Sequence, residues 1–261
     1  VQDYDKVIAY ADKVIKTTGV ELEDSYETLW GYDETAKDCM KRNTKEGILE
    51  VHWTTGSGNW ETWMYGRQLD NWDYYFTWAK WITPSRDIIN DFDKEGDEVR
   101  KNQAIVYYAC TWSNYYPASN YPFMYKLRSS CNNIYWVRLA DIILMKAEAE
   151  AYKGNLAESA KLVNQIRKRA KLKELTSDKT GSKESMIEAV LHERRLELAF
   201  EGERWFDLCR NNKVEKYLNG IDNRDSGRIR QVRQFDSNSY LLPIPQAALD
   251  QNTNLEQNPG Y

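Results

Sequence analysis

With 261 residues, 41% of them hydrophobic, the chain is long enough to bury a sizeable core as one large domain or two modest ones. A formal net charge of −4 supplies no field to draw in a phosphate backbone, despite the local basic run Arg224, Arg228, Arg230 and Arg233, and argues against nucleic acid as a partner. The longest apolar runs, such as 142–145, fall far short of a bilayer span; two histidines (His52, His192) and four dispersed cysteines without a CxxC pair argue against a zinc site or a Cys-His nucleophile.

No cofactor or metal is expected, since the acidic pairs Asp91/Asp93 and Asp222/Asp225 read as ordinary surface or turn residues. Cys39, Cys110, Cys131 and Cys209 read as buried thiols. The chain starts at Val1 with no basic and apolar leader, so the expectation is either a removed signal or numbering that begins part-way along a longer chain.

Taken in order, Gln2 to Thr18 carries Tyr4, Val7, Ile8, Ala11, Val14 and Ile15 on one helical stripe, closed by Gly19. With nothing ahead of it, this stripe is expected to pack on helical structure outside the given residues or to stay exposed, which favours the longer-chain reading. Gly47 to Thr54 reads as a strand through Ile48, Leu49, Val51 and Trp53. From Trp53 to Trp81 ten of 29 residues are aromatic: Trp53, Trp60, Trp63, Tyr65, Trp72, Tyr74, Tyr75, Phe76, Trp78 and Trp81. Asn59, Glu61, Arg67, Gln68, Asp70, Asn71 and Asp73 are interleaved with them, and Gly56, Gly58 and Gly66 punctuate the loop.

Aromatic planes beside short amides and charges suit a sugar, because a pyranose ring offers apolar C–H faces for stacking and a rim of hydroxyls for hydrogen bonds. The same rings can equally fill a core, and both uses are expected here. The candidate ligand-binding residues are Trp60, Trp63, Tyr65, Arg67, Asn71, Trp72, Asp73, Tyr74 and Tyr75. A second aromatic candidate comprises Trp112, Tyr115, Tyr116 and Tyr121, in a Tyr-, Asn- and Pro-rich loop after a strand-like run that begins at Ile105. Between the two, Thr83, Pro84 and Ser85 signal the start of a helix carrying Ile88, Ile89 and Phe92 and stopping by Gly96.

A helix is expected from Asn133, with Trp136, Leu139, Ile143, Leu144 and Ala147 on its buried side, ending at Gly154. A second, with Leu156, Ala160, Val163 and Ile166, follows at once, so the two must lie antiparallel; small residues such as Ala147, Ala151 and Ala157 let such hairpins stack like tetratricopeptide repeats. Glu184 to Asn211 reads as one long amphipathic helix, on which Arg194, Glu197, Glu201 and Arg204 are expected to form partly buried ion pairs with other helices. The stretch 240–261 reads as a surface strap.

Several of these stretches converge on one family. VRLADIILMKAEAEAYKGN, LVNQIRKRA, AVLHERRLELAFEGERWFDLCR and LLPIPQAALDQNTNLEQNPGY resemble, in order and spacing, the C-terminal part of the SusD-like (RagB/SusD) nutrient-binding lipoproteins of Bacteroidetes. ILEVHW and ITPSRDIINDFDKEGDEVR are similar to earlier segments of that family. The resemblance implies a mainly α fold of tetratricopeptide-like helical hairpins with a large irregular, loop-rich region and minor β structure. It further implies a non-catalytic glycan-binding protein on the extracellular face of the outer membrane, held there by an N-terminal lipid outside this chain and serving a SusC-like TonB-dependent transporter.

On this reading residues 1–19 are the second helix of a repeat, 20–132 the ligand-binding region, 133–213 the helical scaffold and 214–261 the C-terminal strap of one domain. The shared motifs are scaffold, so the resemblance carries over no sugar contact. A peptide-binding member of the family is the alternative. Two other classes stand against it: a glycoside hydrolase using two of Glu61, Asp70 and Asp73, and a helical-repeat adaptor for another protein.

Overall fold

The computed structural model describes residues 3–36, 38–53, 65, 82–110, 113, 115–129, 132–225 and 233–261. They fall into two compact units, Val1–Gly202 and Glu203–Tyr261, a division that lies inside the stretch 133–213. The architecture is mainly helical with short two-stranded ribbons. The first unit contains α1 (Tyr4–Ile15), the single turn α2 (Glu27–Trp30), α3 (Arg86–Glu95), α4 (Glu98–Ala104), α5 (Leu139–Lys153), α6 (Leu156–Arg169) and α7 (Lys183–Glu197). Its ribbons are antiparallel: β1 (Tyr32–Asp33) with β2 (Asp38–Cys39), β3 (Gly47–Val51) with β6 (Ile134–Arg138), and β4 (Ile105–Tyr108) with β5 (Tyr121–Met124).

The hairpin α5–α6 turns at Gly154, whose φ of 86° is the left-handed value that closes a helix and releases the Asn155 N–H to the Glu150 carbonyl at 2.9 Å. Ser159 Oγ then donates to the Ala147 carbonyl of the facing helix at 2.7 Å, a close approach that the small alanines permit. Leu144, Ala147, Ala151, Val163, Ile166, Met186, Val190 and Leu191 from α5, α6 and α7 form the principal core. α1 lies against α5. Tyr4 stacks on Tyr152 at 4.7 Å, Asp12 pairs with Lys146 at 2.8 Å, Ala11 is buried, and Val14 and Ile15 pack on the core. The stripe is not fully covered, since Val7 and Ile8 stay half-buried.

Two expected helices are shorter in the structure. Residues Ile134–Arg138 are β6, paired to β3 with Val51 opposite Ile134 and Glu50 opposite Tyr135. Trp136 is therefore 66% exposed, on the opposite side from the buried Tyr135, and not part of a buried helical stripe. The run Ile-Tyr-Trp-Val is β-branched and aromatic throughout, and α5 begins only at Leu139 where Leu and Ala take over. The long helix expected over 184–211 stops at Glu197 and resumes as α8 (Arg204–Arg210) in the second unit. Between them Phe200 and Gly202 both have positive φ, 66° and 93°. Strain at a bulky residue persists only where its surroundings impose it. Here Phe200 packs on the Ile88–Phe92–Leu196 cluster while Glu201 is drawn into ion pairs.

Those ion pairs form one buried network. Arg138 donates through Nη1 to Glu197 at 2.6 Å and Glu46 at 2.8 Å, and grips Glu201 through Nε at 2.7 Å and Nη2 at 2.8 Å. Arg169 bridges the same Glu46 and Glu197. Arg100 reaches Glu193 at 2.7 Å, Glu197 at 3.3 Å and Asp97. Lys126 binds Glu201 at 2.6 Å and lies 4.7 Å from the ring centre of Trp30. Arg194 pairs with Asp141 at 2.7 Å. Three of the four charges expected in buried pairs, Arg194, Glu197 and Glu201, are thus in them; Arg204 is half-buried in the second unit, 4.8 Å from the ring centre of Tyr217.

Burial would raise the Glu197 carboxyl, but Arg169, Arg138 and Arg100 overrule it and hold it far below the usual carboxylate range. Burial likewise opposes ionisation of Glu201, which Arg138 and Lys126 nevertheless lower. Lys126 is itself pushed down to about 8 by burial, against the pull of Glu201.

In the second unit α8 is followed by α9 (Val214–Leu218) and α10 (Gln246–Gln251). Trp205 lies 5.8 Å from Phe235, whereas Phe206 is 65% exposed. The chain end folds back on 241–244. Gln257 exchanges hydrogen bonds with the backbone of Ile244 at 2.8 and 2.9 Å, Asn258 donates to the Leu242 carbonyl at 2.6 Å, and the Tyr261 hydroxyl donates to the Leu241 carbonyl at 2.9 Å. Of the cysteines, Cys110 is buried, Cys39 and Cys209 are half-buried rather than buried, and Cys131 lies outside the described residues.

Arg138→Ala should destabilise the first unit by about 3 kcal/mol, because Glu46, Glu197 and Glu201 each lose one cationic partner while staying buried; urea unfolding measures it. Glu197 has a folded pKa below its unfolded value, so its stabilisation is present above about pH 4.5 and is lost as pH falls. Glu197→Gln should therefore flatten the acid limb of a stability-against-pH curve below about pH 5. Gly154→Ala meets no atom within 4 Å, so only its backbone conformation resists the change, and a loss of about 1 kcal/mol is expected in the same assay.

Candidate ligand-binding surface

The hairpin β4–β5 and the start of α3 build an aromatic surface among the described residues. Ser85 caps α3, its hydroxyl accepting the Ile88 N–H at 3.2 Å, and so fixes where Arg86 leaves the helix. The Arg86 guanidinium sits against two rings, 4.4 Å from the centre of Tyr115 and 4.2 Å from that of Tyr116, and donates to the Tyr115 carbonyl. Those rings meet edge to face at 4.6 Å. The Tyr116 hydroxyl donates to the Pro84 carbonyl at 2.8 Å, and the Tyr121 hydroxyl is hydrogen-bonded to Thr83. Tyr116 meets Tyr121 edge-on at 5.9 Å, and Tyr121 meets Phe123 tilted at 5.1 Å; Tyr121 and Phe123 are buried in a cluster with Cys110 beneath the Tyr115–Tyr116 pair.

The loop that carries Tyr115 and Tyr116 is tied internally. Cys110 N–H donates to the Ala118 carbonyl at 2.8 Å, and Ser113 Oγ accepts the Tyr116 N–H at 3.0 Å. On β4, Tyr107 and Tyr108 are each 38% exposed. Partial burial pushes the Tyr107 hydroxyl up, partly offset by the charge of Lys101, itself paired with Asp93. Tyr107, beside the Lys101–Asp93 pair, and Tyr108, level with Tyr121, alternate to opposite faces of this hairpin. Among the described residues no three His, Cys, Asp or Glu side chains gather as a metal would require.

Of the residues expected to bind ligand, only Tyr65 is described, and it is half-buried. Trp60, Trp63, Arg67, Asn71, Trp72, Asp73, Tyr74 and Tyr75 lie outside the described residues, as do Glu61, Asp70 and Trp112. Trp53, at the head of that segment, is half-buried, with its carbonyl accepting from Arg42 at 2.6 Å. The second aromatic candidate is assembled around Tyr115, Tyr116 and Tyr121. Arg86 and Thr83 were not anticipated as parts of it; the available signal was a Thr-Pro-Ser-Arg helix start placed between two aromatic-rich stretches.

The fold defined here is a helical-hairpin scaffold that carries a loop-rich aromatic region. Residues 101–261 match the sequence pattern of the SusD family, and the chain belongs to that family. It is 36% identical over 135 residues to one SusD-like protein of Formosa agariphila and 32% identical over 144 residues to another. Those matches take in 49% and 51% of this chain but only 25% and 27% of the two relatives. In fold it is similar to a SusD superfamily protein of Bacteroides vulgatus (TM-score 0.72, 22% identity), covering 100% of this chain and 59% of that one. It is similar also to surface glycan-binding protein A of Bacteroides thetaiotaomicron in complex with laminarihexaose (TM-score 0.69, 18% identity), covering 98% of this chain and 59% of the other.

Proposed function

We propose that this chain is the ligand-carrying part of a non-catalytic surface glycan-binding protein, which captures oligosaccharides on aromatic side chains and passes them to a SusC-like TonB-dependent transporter at the outer membrane. An N-terminal lipid outside these residues would hold the protein on the extracellular face. The observation that carries the reading is the locked aromatic surface of Arg86, Tyr115 and Tyr116 on a SusD-family scaffold, adjoining in sequence the aromatic segment 53–81. That one structural relative is a complex with laminarihexaose supports a glycan as ligand.

Stacking needs exposed ring faces, and Trp60, Trp63, Tyr65, Trp72, Tyr74 and Tyr75 are proposed to supply them, with Arg67, Asn71 and Asp73 bonding the hydroxyl rim. Isothermal calorimetry over a panel of oligosaccharides that includes laminarihexaose tests this, with circular dichroism checking the fold. Removal of one ring, as in Trp60→Ala, Trp63→Ala or Trp72→Ala, should weaken binding by about 1–3 kcal/mol and leave the dichroism unchanged. Binding to peptides in place of sugars would move the ligand class, and release of reducing sugar abolished by Glu61→Gln, Asp70→Asn or Asp73→Asn would establish hydrolysis instead.

A further inference from the structure

We propose that Arg86 is the positioning residue of the aromatic surface, holding Tyr115 and Tyr116 in the orientation in which they meet a sugar; the inference rests on the glycan-binding reading above. Its side chain does two things at once. The guanidinium carbon lies 4.4 and 4.2 Å from the centres of the Tyr115 and Tyr116 rings, while an N–H of the same group bonds the carbonyl of Tyr115. It thereby fixes ring and backbone of one residue together. A lysine ammonium, a point charge without a flat face, can satisfy one of these contacts but not the set.

Two other ties in this loop act on different atoms. Ser113 Oγ sets the turn by accepting from the Tyr115 N–H at 3.4 Å and the Tyr116 N–H at 3.0 Å, and the Tyr116 hydroxyl is anchored to Pro84. The first holds backbone and the second holds the Tyr116 ring. The Tyr115 ring has its edge-on contact to Tyr116 and its place against Arg86. Arg86 is itself placed by the start of a well-capped helix, so the orientation of the rings is set from a rigid element. Preorganisation of this kind raises affinity by removing the entropy loss that a free loop would suffer on binding.

The test uses the full chain with Arg86→Lys, Arg86→Gln, Tyr115→Ala and Tyr116→Ala. It reads amide hydrogen exchange at Cys110 and Tyr116, the thermal midpoint, and calorimetric affinity for laminarihexaose. In both Arg86 variants the Tyr116 amide should exchange about tenfold faster, while the ladder of β4 and β5 and the thermal midpoint hardly move. Affinity for laminarihexaose should fall to about the level of Tyr115→Ala, with lysine giving no rescue. Wild-type exchange at Tyr116 in Arg86→Gln, or full recovery of exchange and affinity in Arg86→Lys, would overturn the inference. Faster exchange in the Arg86 variants with unchanged affinity in Tyr115→Ala and Tyr116→Ala would instead sink the ligand reading of this surface and leave the loop-ordering role of Arg86 standing.

Discussion

The first unit depends on the ionisation of one buried carboxylate. Glu197 accepts from Arg138, Arg169 and Arg100, which come from β6, α6 and α4, and its backbone carbonyl accepts from the Tyr26 hydroxyl and from Lys126. An isolated carboxylate at this depth would be protonated; three guanidiniums keep it charged. Each of those arginines has in turn a second acid: Glu46 for Arg138 and Arg169, Glu193 for Arg100. The network therefore joins helix, ribbon and loop where apolar packing by itself would leave their relative rotation loose. Buried ion pairs add little net stability compared with apolar side chains of like shape, and their contribution here is to specify a single arrangement.

That arrangement supports the aromatic surface through short paths. Arg100 is on α4, which runs directly into β4, and the other strand of that hairpin, β5, leads in four residues to Lys126 and Arg128. Arg128 donates to the Gln103 carbonyl at 2.8 Å and to the Tyr125 carbonyl at 2.6 Å, closing the base of the hairpin; burial pushes this guanidinium down to about 10. The loop with Tyr115 and Tyr116 thus projects from a base fixed by charge, and its tip is ordered by stacking.

Much of this was legible in the sequence, for physical reasons that differ by element. The hairpin α5–α6 showed itself through the 3.6-residue recurrence of Leu144, Ala147 and Ala151 and the glycine between the helices. Opposite charges on an otherwise apolar stretch were enough to expect Arg194, Glu197 and Glu201 in buried pairs. Their partners could not be read, because Arg100, Lys126, Arg138, Asp141 and Arg169 are distant in sequence and ordinary in context. Ile134–Arg138 misled because Trp136 falls on helical spacing with Leu139 and Ile143, whereas β3 was already waiting as its ladder partner. The break at 198–202 was hidden because nothing local in Ala-Phe-Glu-Gly announces that Glu201 is pulled toward Arg138. In the aromatic region, side-chain type was readable and geometry was not, since the use of Arg86 depends on the tertiary meeting of a helix start with a hairpin loop.

The spacing of the network along the chain also bears on the order in which the first unit can form. Arg138 and Glu46 are 92 residues apart, Arg100 and Glu197 are 97, and Arg169 and Glu46 are 123. None of these charges can leave water until its distant partner has arrived, and a partly assembled set is less favourable than either end state. The helical hairpin, made of local contacts, can collapse first, while the ionic centre closes late and all together. The consequence is a cooperative barrier: intermediates that bury half the network are suppressed, and the chain reaches the state that presents its aromatic loop only when every distant segment is in place.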